Sequence, residues 1–462
     1  MNTTTRTRRW AAAAVAAAVG LGLAACSSGG GSDDAATSGS GGGNAKASCT
    51  NKVTKPDATK VTVWAWYPSF EAVVDQFNAA HDDVQICWTN AGQGADEYNK
   101  FTTAIQAGKG APDVIMLESE VLPTYETLKG LEDLTKYGAS QDLAAKYTEG
   151  SWKDVTSGSS IYAIPVDGGP MGMLYRKDIF DKYKVKVPTT WDEFATAAQQ
   201  LKDAGFKGTI TDFPTNGNAL LYALQAQAGW TPFTYDASNP TKIGINVDTP
   251  ESEKVIDYWN GLVGKGLVAH EDAFGTDYNT NLVDGTYAVY LAAAWGPGYL
   301  QGLSGADKDA KWVAAPIPQW DTANPVQVNW GGSTFAVTTQ AKDKKAAAEV
   351  AMGIFDNDAA WKIGIDKAAL FPQFKSVLES TEFKDKKYSF FDGQQINKDV
   401  FLAAAQGYSG FQFSPFQVYA YDQQTQALHD MISKKQSAAD TLKGLQDKLV
   451  KYAQGQGYTV SQ

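Results

Sequence analysis

The sequence predicts an α/β fold in which each sheet is mostly parallel and covered by helices on both faces. From residue 60, strand-like and helix-like segments alternate, the order that builds parallel crossovers. The strands "KVTVWAW", "DVQICW" and "PDVIML" are near-continuous apolar runs, the pattern of strands buried on two sides. The chain's 462 residues, 43% hydrophobic and 20% charged, supply enough material for two lobes. With 51 acidic against 40 basic side chains, the positive footprint needed to neutralise a phosphate backbone is missing, so nucleic acid is excluded as a partner.

The N-terminus precedes that pattern and has its own logic. Arg6, Arg8 and Arg9 form a positive cap on an apolar stretch, Ala11 to Ala25, too short for the roughly 20 residues that cross a bilayer. Residues 1–25 are expected to be a signal peptide, the alternative being a short uncleaved anchor. Leu23-Ala24-Ala25-Cys26 resembles the bacterial lipobox, and that resemblance implies acylation of Cys26 and stable attachment through several acyl chains. Residues 26–47 have the Gly/Ser composition of a flexible tether reaching roughly 25 Å.

Cys49 and Cys87 are then left in an exported domain, where thiols oxidise. Cys49 lies just before the first expected strand and Cys87 within the second. We expect them to pair and pin the tether to the sheet, the alternative being two separate thiols. The three histidines, His81, His270 and His429, show no zinc-ligand spacing, and we expect no metal or other cofactor.

The first helix, in "SFEAVVDQFNAAH", places Phe70, Val73, Val74 and Phe77 on one face, with Ser69 as the expected N-cap. The second, in "DEYNKFTTAIQAGKG", aligns Tyr98, Phe101 and Ile105 and stops at Gly108. In "PTTWDEFATAAQQLKDAG", Thr190 and Glu193 read as a capping box, and Phe194, Ala197, Ala198 and Leu201 form the buried stripe. "TPESEKVIDYWNGLVGKG" opens with Pro250 at a first helical position. "TYAVYLAAAW" and "GSTFAVTT" are further strands.

The order "VTVWAW", "AIQAGKGAPDVIML", "GLEDLTKY", "IYAIPVDGGPMGMLYRKDIFDKY", "VPTTWDEF", "GTYAVYLAAAWGPG" and "VNWGGSTFAVTTQAKDKKAAAEV" resembles the family 1 extracellular solute-binding proteins, the sugar-binding components of bacterial ABC importers. The resemblance runs from about residue 59 to near the C-terminus. It implies a two-lobed, periplasmic-binding-protein-like fold of type II with a hinge crossed more than once. We place crossings near Asp167, Trp295 and Trp330. The expected segments are 48–166 and 291–330 for lobe 1, and 167–290 and 331–462, with the C-terminal helices, for lobe 2. It also implies capture of a carbohydrate, of di- or oligosaccharide size, by hinge closure. The monomeric, lipid-anchored protein would deliver it outside the cytoplasmic membrane to permease subunits with a cytoplasmic ATPase behind them.

Ligands of parallel α/β sheets sit beyond the carboxyl ends of the strands. A pyranose needs aromatic plates for its C–H faces and fixed acceptors and donors for its hydroxyl rim. Of thirteen tryptophans, Trp66, Trp295 and Trp330 follow strands and are expected to stack. Trp230 and Tyr67 are open between ligand and core, and Trp64, Trp191, Trp259 and Trp361 are read as core. Glu118 and Asp167, with Ser119 beside the first, are placed to bind hydroxyls, charge-assisted bonds being the stronger kind. For the two carboxylates, a helix cap or an inter-lobe ion pair is the alternative. Asn216 and Asn218 either cap the next helix or face the ligand. Gln373, in "FPQF", is carried over from the family only loosely. Gly168 and Gly169 either admit a larger sugar or serve the hinge.

No catalytic residue is expected. "GYSGF" fails the nucleophile-elbow pattern and H-E-x-x-H is absent. The alternatives to a sugar receptor are a receptor for another solute on the same fold and a lipid-anchored glycoside hydrolase.

Overall fold

The computed structural model describes residues 49–235, 239, 241–303 and 310–461. The signal segment, Cys26 and the tether lie outside these. Ten strands build the two main sheets: β1 (Thr59–Trp64), β2 (Val84–Thr89), β3 (Val114–Glu118), β4 (Ala163–Pro165), β5 (Met171–Arg176), β6 (Thr211–Asp212), β7 (Val268–Ala269), β8 (Val289–Ala293), β9 (Trp312–Pro316) and β10 (Ser333–Val337).

In the first sheet the order is β2-β1-β3-β10-β4. β1 runs parallel to β2 and β3, and β10 runs antiparallel to both its neighbours. In the second, β5 lies antiparallel between β8 and β9. The parallel pair β6 and β7 joins this sheet at β8, where Val289 N donates to the Ile210 carbonyl at 2.7 Å. Each sheet therefore holds one antiparallel strand, and in each it is the strand entered directly from a crossing. Separate apolar cores lie beneath the sheets, one around Phe70, Leu117, Phe335 and Trp361 and the other around Phe180, Trp191, Trp259 and Leu291.

Local sequence explains the helices that cover them. Phe70, Val73, Val74 and Phe77 are buried on the helix Phe70–Ala80, as their spacing predicts. Ser69 does not cap it. It adopts a left-handed conformation, φ 54°, and its side chain makes no cap bond. Thr190 does cap Trp191–Asp203, accepting from Glu193 N. The Glu193 carboxylate reaches back to Thr189, one residue before the position that a capping box would use. Thr249 and Ser252 form a reciprocal box that spans Pro250 at the first helical position.

The segments divide differently from the sequence reading. Residues 291–330 were assigned to lobe 1, yet β8 and β9 pair with β5 in lobe 2. Residues 331–462, expected in lobe 2, are divided: β10 sits in the first sheet and Ala347, Val350 and Trp361 join the first core, while Phe383, Phe401 and Leu428 join the second. The cause is the antiparallel strand in each sheet, whose partners are remote in sequence.

Three segments cross between the lobes side by side. Val166 N donates to the Ser333 carbonyl at 2.9 Å, Trp330 N to Gly169 at 2.8 Å, Gly168 N to Phe371 at 2.9 Å and Gln373 N to Val166 at 3.0 Å. Two of the crossings lie at Asp167 and at Trp330. The third is Phe371–Gln373, not Trp295, which instead opens the helix Gly296–Gly302 within lobe 2. At Gly169 a Cβ would land on the Trp330 carbonyl, and at Gly168 on the Gln373 amide. The two glycines thus let hinge strands touch.

A C-terminal layer finishes the molecule. Helices Gln417–Lys434 and Ala438–Gly455 pack with Thr459–Ser461, which extends Lys242–Ile245 and Phe233–Tyr235 into a small sheet. This layer also touches lobe 1, where Gln417 N donates to Thr124 Oγ1 at 2.8 Å and Tyr408 Oη to Asp154 at 3.0 Å. At the other end of the described chain, Cys49 and Cys87 form a disulfide. Asn51 reinforces it, accepting from Trp88 N at 2.7 Å and donating to the Ile86 carbonyl at 2.9 Å.

Candidate functional site

β3 delivers Glu118 at its carboxyl end, half-buried, and the chain turns at once into Ser119–Val121. Glu118 accepts from Tyr98 Oη at 2.6 Å, and Tyr98 packs edge-on to Trp66 at 5.9 Å. Burial pushes the Glu118 carboxyl above its ordinary range, against the Tyr98 bond that holds it down. Glu120 is raised further by its own burial and by Glu118 beside it.

Gly331, with φ 71°, separates this carboxyl from the opposite wall. A Cβ there would sit 3.1 Å from Glu118 Oε1 and 3.9 Å from Trp295 Nε1. Trp295 donates its indole N–H to the Trp330 carbonyl at 3.1 Å and meets the Trp330 ring at 4.9 Å, 72° apart. Trp330 itself is buried. The outward face of the cluster belongs to half-buried Trp295 and to Phe274, whose ring lies 6.2 Å from Trp295, 6.1 Å from Trp330 and 5.3 Å from Tyr299. Phe274 is 49% exposed and has φ 64°, a conformation that strains a bulky residue by about 1–3 kcal/mol.

The hinge adjoins these groups. Asp167 Oδ1 accepts from both Ser333 N, at 3.1 Å, and the Ser333 hydroxyl. Burial raises the Asp167 carboxyl to about 7, opposed by the Ser333 amide and assisted by the charge of Glu118. A cavity of about 10 Å³, the room of one water, lies among Ser119, Asp154, Asp167, Asn329 and Gln373. A larger cavity of about 330 Å³ opens elsewhere, between Pro297, Leu370, Phe383 and Tyr388. It contains none of the carboxyl groups or aromatic plates just described.

The structure thus brings together Trp66, Glu118, Ser119, Asp167, Trp295 and Trp330. Other expected residues are occupied elsewhere. Trp230 is core, its ring buried and its N–H donated to the Val247 carbonyl at 3.2 Å. Tyr67 is buried with its hydroxyl bonded to Ser333. Asn218 bonds to Thr425 and Gln424 of the C-terminal layer. Asn216 accepts from Ala273 N at 2.8 Å and donates to the Ala273 carbonyl at 3.4 Å. Gln373 is buried in the third crossing and accepts from Thr148 at 2.6 Å. Tyr98, Glu120, Phe274 and Tyr299 adjoin the groups brought together and are not singled out as site residues by the sequence reading. Tyr98 scored as a core-facing helix residue, and its terminal hydroxyl was the available clue.

A family model described as bacterial extracellular solute-binding protein matches residues 72–391. The chain is 25% identical over 361 residues to an arabinooligosaccharide-binding protein of Halalkalibacterium halodurans, covering 73% of this chain and 77% of that one. It is 24% identical over 360 residues to a lactose-binding protein of Rhizobium radiobacter, covering 73% and 80%. Among solved structures, it resembles the ABC transporter associated binding protein from B. animalis subsp. lactis Bl-04 in complex with beta-1,6-galactobiose. The TM-score is 0.78 and the identity 27%, over 88% of this chain and all of that one.

Proposed function

The chain belongs to the bacterial extracellular solute-binding proteins, and from that premise we propose that it captures a di- or oligosaccharide and hands it to an ABC permease. The observation that carries this reading is the facing of a half-buried carboxyl, Glu118, and an aromatic wall, Trp295 with Phe274, across Gly331. Trp66 and Trp295 would stack on sugar faces, and Glu118 and Ser119 would accept and donate to the hydroxyl rim. The three crossings would let the lobes rotate, so that the solute biases an open-to-closed equilibrium. The relatives' sugars support a carbohydrate ligand.

The family and its relatives are binding proteins, and we propose binding without turnover here. The tether and lipobox support anchoring through Cys26 outside the cytoplasmic membrane. Among the described residues no helix is long and apolar enough to cross a membrane. We further propose that the domain works as a monomer, its lobes being those that the strand pairing defines.

The test is a thermal-shift screen of the domain from Ser48 onward against mono-, di- and oligosaccharides. A ligand at a hundred times its dissociation constant stabilises by about 2.7 kcal/mol. A shift with one sugar class, the sugar being recovered intact, supports the reading. Recovery of cleaved sugar, or a shift with non-sugar solutes alone, overturns it.

A further inference from the structure

Phe274 sits in a loop built with unusual care. Asp212 Oδ1 accepts from Glu271 N at 2.9 Å, and Asn216 clamps both the N–H and the carbonyl of Ala273. Gly275 N closes a turn onto the Asp272 carbonyl at 3.1 Å, and Asn279 donates to the Phe274 carbonyl at 3.3 Å. These bonds grip the backbone on either side of Phe274 and leave its ring to stand out. The left-handed φ of 64° is one that glycine adopts freely and a phenyl-bearing residue does not. The residue as a whole stays exposed, so burial repays that strain poorly.

We propose that Phe274 is a specificity-determining residue. Held as a fixed flap, its ring lengthens the Trp295 surface so that the site prefers saccharides of two or more rings over single sugars. This rests on the carbohydrate reading above. The geometry fits the role: the Phe274 plane is tilted 46° from Trp295 and 40° from Trp330, and Tyr299 braces it edge-on at 87°. The outward planes of Trp295 and Phe274 form a bent wall rather than one plate, and successive sugar rings in a chain also present faces at an angle. Asn216 is then a positioning residue, acting on the ligand only through the loop that carries Phe274.

The experiment is calorimetry of the wild type, Phe274→Gly and Phe274→Trp with lactose, beta-1,6-galactobiose and arabinobiose, each against galactose or arabinose. Ligand-free melting is followed in parallel. For the disaccharide that the wild type binds, Phe274→Gly should lose at least fivefold in affinity, lose less than twofold for the single sugar, and melt no lower than the wild type. Phe274→Trp should keep most of the disaccharide affinity. An equal loss for one ring and two, or unchanged binding, overturns the proposal while leaving the carbohydrate reading standing. A melting point several degrees lower in Phe274→Gly also overturns it, because the ring would then be structural. Failure of the wild type to bind any of these sugars or longer oligosaccharides overturns the carbohydrate reading, and the proposal with it.

Discussion

Ser333 is bonded to Asp167 three times: its amide donates to the Asp167 carbonyl and to Oδ1, both at 3.1 Å, and its hydroxyl donates to the same Oδ1. One carboxylate thereby ties the first crossing to the second. Removing the Asp167 side chain takes one of two acceptors from the Ser333 amide and leaves the buried Ser333 hydroxyl with Tyr67 alone. Asp167→Ala should lower ligand-free stability by about 1–3 kcal/mol in urea unfolding, the cost of unsatisfied buried polar groups. Unchanged stability with weakened sugar binding would instead make Asp167 a ligand acceptor alone.

Trp295 is half-buried and its ring carries the outward aromatic face. Trp295→Ala should weaken binding of the sugar found in the thermal-shift screen by about 1 kcal/mol or more, the worth of an aromatic contact. The ligand-free protein should remain folded by circular dichroism. Unchanged affinity in calorimetry would remove Trp295 from the site.

Glu97 lies fully buried on Ala95–Ala107, and neither carboxyl oxygen has a partner. Burial pushes its carboxyl to about 9, with Lys100 acting in the opposite direction. Between the ordinary carboxylate range and that value, the folded state holds a proton that the unfolded chain has released. Stability must fall as pH rises through this window. Asp154, Asp167 and Asp212, each raised to about 7 chiefly by burial, act in the same sense up to that pH. The ligand-free protein should therefore melt lower at pH 8 than at pH 5. Glu97→Gln should flatten the part of the profile between pH 7 and 9, with a gain of about 1–3 kcal/mol at its alkaline end. An unaltered profile in scanning calorimetry would show Glu97 ionised in the folded protein.

The Cys49–Cys87 bridge closes a separation of 38 residues. In the chain-entropy view its reduction should cost roughly 4 kcal/mol. Chemical denaturation with and without reductant measures the difference, and free thiols in the unreduced domain would contradict the pairing.

Local chemistry made much of the fold legible. The apolar run "PDVIML" became β3, Pro250 opened its helix, and Gly108 took up the left-handed C-cap with φ 66°. Partner choice did not show, because β8 and β10 read alike as short buried runs while β8 pairs with β5 and β10 with β3. The site divided on similar lines. Position after a strand singled out Glu118 and Trp295, which lie on either side of Gly331. It could not distinguish Asn216, which organises a backbone, from a residue facing solute, nor foresee Phe274, whose conformation is imposed by bonds from remote loops. Trp230 follows a helix, and only its packing against Tyr222 and Phe411 decides that it is covered.

The exchange of strands between the two sheets also sets a timetable. β10 lies inside the first sheet, between β3 and β4, yet it is the last of the ten strands in the chain. When the polypeptide leaves an export channel N-terminus first, β1, β2 and β3 can pair, but β3 and β4 stay bare along their facing edges until Val337 has emerged. An unpaired strand edge is an adhesive surface, and contacts this distant in sequence form slowly. The first sheet to start is thus not the first whose strands are all present. Its closure waits for the strands of the second sheet to be made first, and in that interval the bare edges of β3 and β4 are where the nascent protein is most exposed to aggregation.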